Sequence, residues 1–482
     1  MTRPGRGGEL IIAIDQGTTS LKVAAFGLSG RLVTMATTPA GIRLLGGGTM
    51  EGRPQQWWSD CARSLRALLA GPALAGARIR AVAVCGLMHT LVPADAAGRS
   101  LAAAVPLWAD QRYRNEPSPA YVAVGDRITG PSENSCVGRL LWLLDRDPAL
   151  RSRVRHLLPV KDFLRLQLTG VPATDYYEAE GTGLAPDRGR AWSPELLDIV
   201  GVPAACLPPI VAPDRPAGEV TAAAAQATGL PEGTPVVVGT SDWHAALIGS
   251  GAYLPDRASL YLGTAGVLGA FRSREALGRL GEAACLGAVT STGSALDWLA
   301  RTLAPGAGSV AELAEQSEAG ARGLIFLPHL MGERGDAIRP DATGTLTGLR
   351  LTHRRCDLVR AVLEGTALWL RAVAAPAMAR ERIRALVISG GGARQPLNAT
   401  IAAAIYRVPV IVPEVTETGV LGTAILAARN LGILPAGADW VRTRRVEEPA
   451  GWLADRYAEV FETFARTERA MRTFETEPLR PG

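Results

Sequence analysis

Two short stretches of this 482-residue chain carry residues able to grip phosphate. In the first, Asp15-Gln16-Gly17-Thr18-Thr19-Ser20 lies between the apolar runs Leu10–Ile14 and Leu21–Phe26. The opening run is Ile-rich and too short for a helix, so the segment reads as strand, tight turn, strand. Gly17 lets the backbone turn and lets a ligand come close. The hydroxyls and successive N–H groups can donate to phosphate oxygens. Asp15, at the strand end, can hold a hydrated divalent cation. A surface hairpin with a polar tip is written in the same letters. The second stretch, Ser259–Phe271, repeats the layout around Gly263-Thr264-Ala265. Two such hairpins, one in each half, form a weak internal repeat. Two similar domains, each offering one hairpin to a nucleotide held between them, would leave that trace.

Four further groups stand where strands end. Ile79–Cys85 is a buried strand running into Met88-His89, and ligands of open α/β sheets bind at that edge. Trp108, Asp110 and Arg112 follow another strand-like run; they form either a local salt bridge or the polar wall of a pocket. Asp242 follows the buried strand Val236–Gly239, where a bare aspartate reads as the cap or first turn of a helix. Gly390-Gly391-Gly392-Ala393 joins the strand Ala385–Ser389 to a helix.

The elements that must hold these residues alternate between strand and helix in both halves, which makes the fold α/β. Helices are expected over Arg53–Leu69, Arg139 to about Gly170, Arg354–Met378, Gly419–Leu431 and the tail after Ala450. This length calls for two domains. The boundary is set near Gly249–Pro255, giving domains 1–250 and 251–482. Lysine occurs only at Lys22 and Lys161, and the arginines are scattered among acids with no long basic run, which speaks against nucleic-acid binding despite the net charge of +5. Six cysteines without a Cys-x-x-Cys pair read as buried, reduced thiols. Neither a signal peptide nor a bilayer-spanning segment is legible, so the expectation is a soluble, cytoplasmic protein.

Taken in order, the Asp15 hairpin, the Met88-His89 and Trp108–Arg112 pair, the Gly239–Gly249 block and the Gly390–Ala393 loop resemble the FGGY carbohydrate kinases. The resemblance covers nearly the whole chain. Gly332-Glu333-Arg334 and Leu363-Glu364-Gly365 add to it. It implies two actin-like ATPase (RNase H-like) domains with a nucleotide and sugar cleft between them that closes on substrate. The implied cofactors are ATP and Mg²⁺, with Asp15 as the metal residue. Gly17, Thr18, Thr19, Lys22, Gly263 and Thr264 match positions beside the phosphates, and Lys22 is equally readable as a solvated strand lysine. Gly293, Asp297, Gly391, Gly392 and Ala393 match positions around the rest of the nucleotide. Asp242 matches the general base, a role compatible with capping. Met88, His89, Trp108, Asp110, Arg112 and Trp243 match the substrate wall.

Within that family the look is of the xylulokinase and gluconokinase branches. The implied reaction is phosphoryl transfer from ATP to a hydroxyl of a ketopentose such as D-xylulose, or of a sugar acid such as gluconate. Glycerol kinases carry Arg-Glu at the Met88-His89 position, which disfavours glycerol. Trp243 stands where xylulokinases usually have Asn, Thr90 replaces a Gly, and the Gly335–Pro340 loop lacks the usual aromatic. These departures leave the reaction intact and the sugar open. Rivals of another class are an actin-like chaperone and a sugar sensor without turnover. The partner is a small sugar, and a homodimer is left open.

Overall fold

The computed structural model describes residues 8–45, 48–115, 117–124, 136–186, 189–254, 256–271, 283–302, 310–333, 339, 342–435 and 438–476. Gly46, Gly47, Pro255 and Arg334 lie outside the described residues, as does the Gly335–Pro340 loop apart from Arg339. The chain forms two compact units.

The first unit is built on a six-stranded sheet. Its strands are β1 (Glu9–Gln16), β2 (Ser20–Gly27), β3 (Leu32–Pro39), β4 (Arg78–Gly86), β5 (Pro216–Glu219) and β6 (Pro235–Val237), in the order β5-β6-β4-β1-β2-β3. β1 is parallel to β4, and β4 to β6; the other neighbours are antiparallel. Leu10 to Ile14 are all buried, as expected of a central strand covered on both faces. Helix α1 (Pro54–Leu69) presents Trp57, Cys61, Leu65 and Leu68, one turn apart, to the Ile12–Ile14 side of the core. The text from Arg139 to Gly170 is not one helical stretch. Helix α2 (Cys136–Arg146) and helix α3 (Val160–Thr169) flank a strand, His156–Pro159, which pairs with Leu91–Ala94. Pro148 and Pro159 break the helical pattern at those points. Helices α4 (Tyr176–Gly181) and α5 (Asp242–Gly249) complete the elements at the carboxyl edge of the sheet.

The second unit repeats the plan. Strands β7 (Arg257–Leu262), β8 (Gly266–Phe271), β9 (Ala283–Val289), β10 (Ala385–Ser389), β11 (Val410–Pro413) and β12 (Thr443–Glu447) lie in the order β9-β8-β7-β10-β11-β12. Two parallel pairs, β7·β10 and β10·β11, sit between antiparallel flanks, the same succession as in the first unit. The hairpin repeat read from sequence is thus part of a repeat of whole sheets. Helices α6 (Gly293–Thr302), α7 (Arg355–Arg380), α8 (Pro396–Tyr406) and α10 (Gly451–Thr476) pack around the second sheet or join its strands.

A single boundary does not describe the division. The chain divides at Gly249/Ser250, but Gly419–Trp440, with nearly all of helix α9 (Thr418–Asn430), belongs to the first unit. A methyl group on Gly422 would stand 1.8 Å from the carbonyl oxygen of Ala245 in α5, so the two backbones touch. Contact of that kind leaves no apolar periodicity to read in sequence.

Five cysteines are buried, as expected, but Cys285 is exposed. It lies on β9, the edge strand of its sheet, where alternate side chains face outward. Among the described residues, no helix is long and apolar enough to cross a membrane.

Candidate active site

Three neighbouring strands of the first unit bring their carboxyl ends together. Asp15 ends β1 opposite Cys85 of β4, and Gly86 of β4 bridges to Ser241, the residue before Asp242. Asp15, Cys85 and Asp242 therefore stand along one sheet edge. Gly239 sets the approach. It takes φ +74°, and a methyl group there would lie 1.7 Å from the Val84 carbonyl oxygen. Only glycine lets the chain leave β6 pressed against β4.

Asp242 opens α5, and its carboxylate accepts from the Trp243 N–H at 2.7 Å. The cap itself is Ser241, whose Oγ accepts from the His244 N–H at 3.2 Å, and Asp242 takes the first turn. Burial, then the charge of Asp15, push Asp242 up to about 7, against the Trp243 N–H and Lys22. Lys22 is the in-register partner of Asp15 on β2, with Nζ 3.8 Å from Oδ2. It is an ion-paired residue of the site, not a solvated strand lysine. Helix α9 begins beside the same carboxylate: a methyl group on Gly419 would be 3.0 Å from Asp15 Oδ2.

The first hairpin closes on itself through the Gly17 N–H, which donates to the Ser20 carbonyl at 3.1 Å. That donor is already used, which corrects the expectation that Gly17 offers its N–H to phosphate. Thr18 and Thr19 are left at the tip. Thr18 Oγ1 accepts from Trp108 Nε1 at 3.1 Å, which ties the hairpin to the Trp108 segment.

Met88 and His89 follow β4, and both pack on Gly181 at the end of α4. His89 takes φ +58°, a left-handed conformation unusual for histidine. Its Nδ1 is 2.7 Å from the Gly181 carbonyl oxygen. A carbonyl only accepts, so Nδ1 carries the proton. Burial lowers His89 to about 4, so at neutral pH the ring is uncharged and Nε2 is an acceptor. Trp243 meets the His244 ring edge-on, and His244 stacks on Tyr177 with centroids 4.1 Å apart.

Asp110 and Arg112 realise the salt-bridge reading. Asp110 is 1% exposed; its oxygens accept from Met50 N and from Arg112 N, Nε and a terminal nitrogen at 2.7–3.0 Å. Arg112 also reaches Glu51 at 3.3 Å and lies over the Trp142 ring. Asp110 thus holds Arg112 in place.

In the second unit, the Gly263 N–H closes its own turn on Ala265, as Gly17 does in the first. The start of α6 is stitched to this turn: Gly293 N–H donates to Gly263 O at 3.0 Å, and Thr292 and Ser294 donate to the Gly263 and Thr264 carbonyls. Gly293 is therefore a packing residue of the turn. Asp297, one turn into α6, is exposed. The Gly391–Arg394 turn follows β10 and leans on Leu262 of β7, while Gly391 faces open space. Ala393 is buried beneath it.

With this geometry in hand, comparison with known proteins gives a family. Residues 10–249 match the N-terminal domain, and residues 236–431 the C-terminal domain, of the FGGY family of carbohydrate kinases. The chain belongs to that family. A xylulose kinase of Bacillus subtilis is 27% identical over 88% of each chain. A glycerol kinase of Methylibium petroleiphilum is 30% identical over 96% of this chain and 98% of that protein. A gluconate kinase structure from Lactobacillus acidophilus superposes with a TM-score of 0.82 over 96% of this chain and 98% of that one, at 24% identity, a likeness of fold. The chain is an ATP-dependent sugar kinase with the actin-like ATPase fold.

For this FGGY kinase the site fits a hydrated Mg²⁺. Asp15 and Asp242 repel one another at one edge, and Mg²⁺ is commonly held by one or two carboxylates while keeping several waters. Among the described residues no group of three or more His, Cys, Asp or Glu side chains is placed to hold a metal ion.

Sequence reasoning missed Arg139. It is 2% exposed on α2, and its guanidinium donates to the carbonyls of His89 at 2.8 Å and Trp108 at 3.0 Å. One buried cation thereby spaces two backbone segments of the site. It also missed Lys161, fully buried on α3, which lies 2.6 Å from Asp162, 3.1 Å from Asp175 and 3.4 Å from the Val238 carbonyl just before Gly239. Burial alone would lower the Lys161 ammonium, but Asp162 and Asp175 outweigh it and hold it charged. A charge in an apolar helix pattern was the signal available for both.

Proposed function

We propose that this kinase phosphorylates a ketopentose such as D-xylulose, with Asp242 as general base. The observation that carries the reading is the Asp242 carboxylate, raised to about 7 at the sheet edge beside Asp15 and next to the His244–Tyr177 stack. A base is most effective when its pKa lies near the working pH. Asp242 would orient the sugar hydroxyl and take its proton as the bond to phosphorus forms. Bound Mg²⁺ would neutralise charge on the phosphate oxygens, with Asp15 as its protein anchor.

The first unit would carry the sugar and the base, and the second the nucleotide. His89 would accept from a sugar hydroxyl through Nε2, with Met88 and Trp243 as apolar walls and Trp108, Asp110 and Arg112 completing the polar side. Thr18, Thr19 and Lys22 would face the phosphates, with Gly17 shaping their turn. In the second unit, Thr264 would face the phosphates, Gly263 and Gly293 would shape its turn, and Asp297 with Gly391, Gly392 and Ala393 would border the rest of the nucleotide. The open space over Gly391 supports that use. Arg112 favours a neutral sugar over a sugar acid, because its guanidinium is already committed to Asp110 and Glu51.

The test is release of ADP from Mg-ATP with ketoses, polyols and aldonates offered in parallel. The highest kcat/KM is expected for a ketopentose. A preference for gluconate would move the reading to the sugar-acid branch. ADP release that no acceptor increases would overturn it.

A further inference from the structure

Far from these residues along β10, the second unit contains a cavity of about 380 Å³. It lies at the amino end of that strand, opposite the end that bears the Gly390–Ala393 loop. The last turns of α7 supply Arg371, Ala375, Met378 and Ala379; the link to β10 supplies Arg382, Ile383 and Arg384; Tyr406 and Val408 close it from the end of α8. Its volume falls in the range of small-molecule sites.

The lining carries three guanidinium groups and no carboxylate. Nearby acids are used elsewhere: Glu381 pairs with Arg380, and Asp455 with Arg407. Arg371 is held over the Phe461 ring, 4.2 Å from its centroid, a contact that fixes the guanidinium without neutralising it. Burial, then the charge of Arg407, lower Arg371, against Tyr406 beside it. Tyr406 adds a buried hydroxyl that has no hydrogen-bond partner among the described residues. Arg382 takes φ +53° as the left-handed residue that ends α7: its N–H donates to the Ala379 carbonyl at 3.2 Å and the Ile383 N–H to the Met378 carbonyl at 3.0 Å, and its side chain lines the cavity.

We propose that this cavity binds a small molecule bearing an oxyanion, a phosphate or a carboxylate, on an apolar frame. Arg371, Arg382 and Arg384 would take the oxyanion, since planar guanidinium groups match such oxygens in pairs. Ala375, Met378, Ile383 and Val408 would take the frame. The site is distinct from the nucleotide loop and does not depend on which sugar the kinase accepts.

Calorimetric titration of the full chain tests this, with phenyl phosphate, benzoate and inorganic phosphate as probes and ADP present at saturation. One phenyl phosphate or one benzoate per chain is expected to bind, more tightly than inorganic phosphate, and to weaken as NaCl is raised. The better of the two identifies the oxyanion. In the Arg382→Gln/Arg384→Gln variant, whose changed side chains are exposed, binding is expected to weaken about tenfold or more while turnover without the probe is unchanged. Tyr406→Phe, which removes one hydroxyl, is expected to weaken it less. Absence of binding by all three probes up to millimolar concentration would overturn the proposal, as would binding that the double variant leaves unaltered. Both readouts are heats of binding, so a failure here is separate from a failure to find the sugar.

Discussion

Lys22 Nζ stands 3.8 Å from Asp15 Oδ2, its in-register partner across the first hairpin. The pair acts on a third residue: Asp15 raises Asp242 and Lys22 lowers it. Removing the cation by Lys22→Met should therefore push Asp242 further up. The rise of kcat/KM with pH should move to higher pH than in the native enzyme. A pH profile at saturating Mg-ATP checks this, and an inflection that stays put or moves down contradicts it.

Asp242 should cost the folded protein stability in exchange for its role. Its carboxyl titrates at about 7 when folded and near 3.8 in an unfolded chain. Between those values the folded state holds the proton more tightly, so stability falls as pH rises through this window and stays lower above it. Asp242→Asn removes that loss. The melting temperature of the variant, relative to the native protein, should be higher at pH 8 than at pH 5. Its kcat should fall about 10²-fold or more. An equal difference in melting temperature at both pH values would reject the coupling.

Arg139 should act through the residues it holds. Arg139→Met frees the carbonyls of His89 and Trp108, so the sugar KM should rise about tenfold while the ATP KM stays close to native. Arg139→Lys keeps a cation able to reach one carbonyl and should recover part of the loss. His89→Ala should show the same split between the two KM values. If the ATP KM rises more than the sugar KM in either variant, the assignment fails. Urea unfolding of each variant separates a loss of fold from a loss of positioning.

Gly239→Ala should destabilise the first unit by about 3 kcal/mol or more, from the combined cost of a left-handed φ and a methyl group driven into the Val84 carbonyl. Gly391→Ala, by contrast, meets nothing within 4 Å and should leave stability within about 0.5 kcal/mol. Chemical denaturation of both variants checks the contrast. A neutral Gly239→Ala would mean that the crossing of β6 onto β4 has slack.

The order of local signals was legible in the letters. Short Ile-rich and Val-rich runs ending in Asp15, in Met88-His89 and in Asp242 give strands whose carboxyl ends carry polar residues, because a strand buried on both faces must be apolar until it leaves the sheet. The Gly-Thr hairpins were visible for the same reason, and with them the family. Other features depend on where distant segments meet, and no local pattern carries them. Asp110 and Arg112 could have faced a ligand or each other, and only packing against Glu51 and Trp142 decided for the pair. Arg139 looked like one more charge in an amphipathic helix until two carbonyls from remote turns were found to end on it. Helix α9 joins the first unit through backbone contact at Gly422, where there is no side chain to betray the partner. Sequence by itself determined which residue types lie at the strand ends. Tertiary structure decided their charge states and partners, because burial and neighbouring charge are properties of the space around a residue, which segments far apart in the chain assemble.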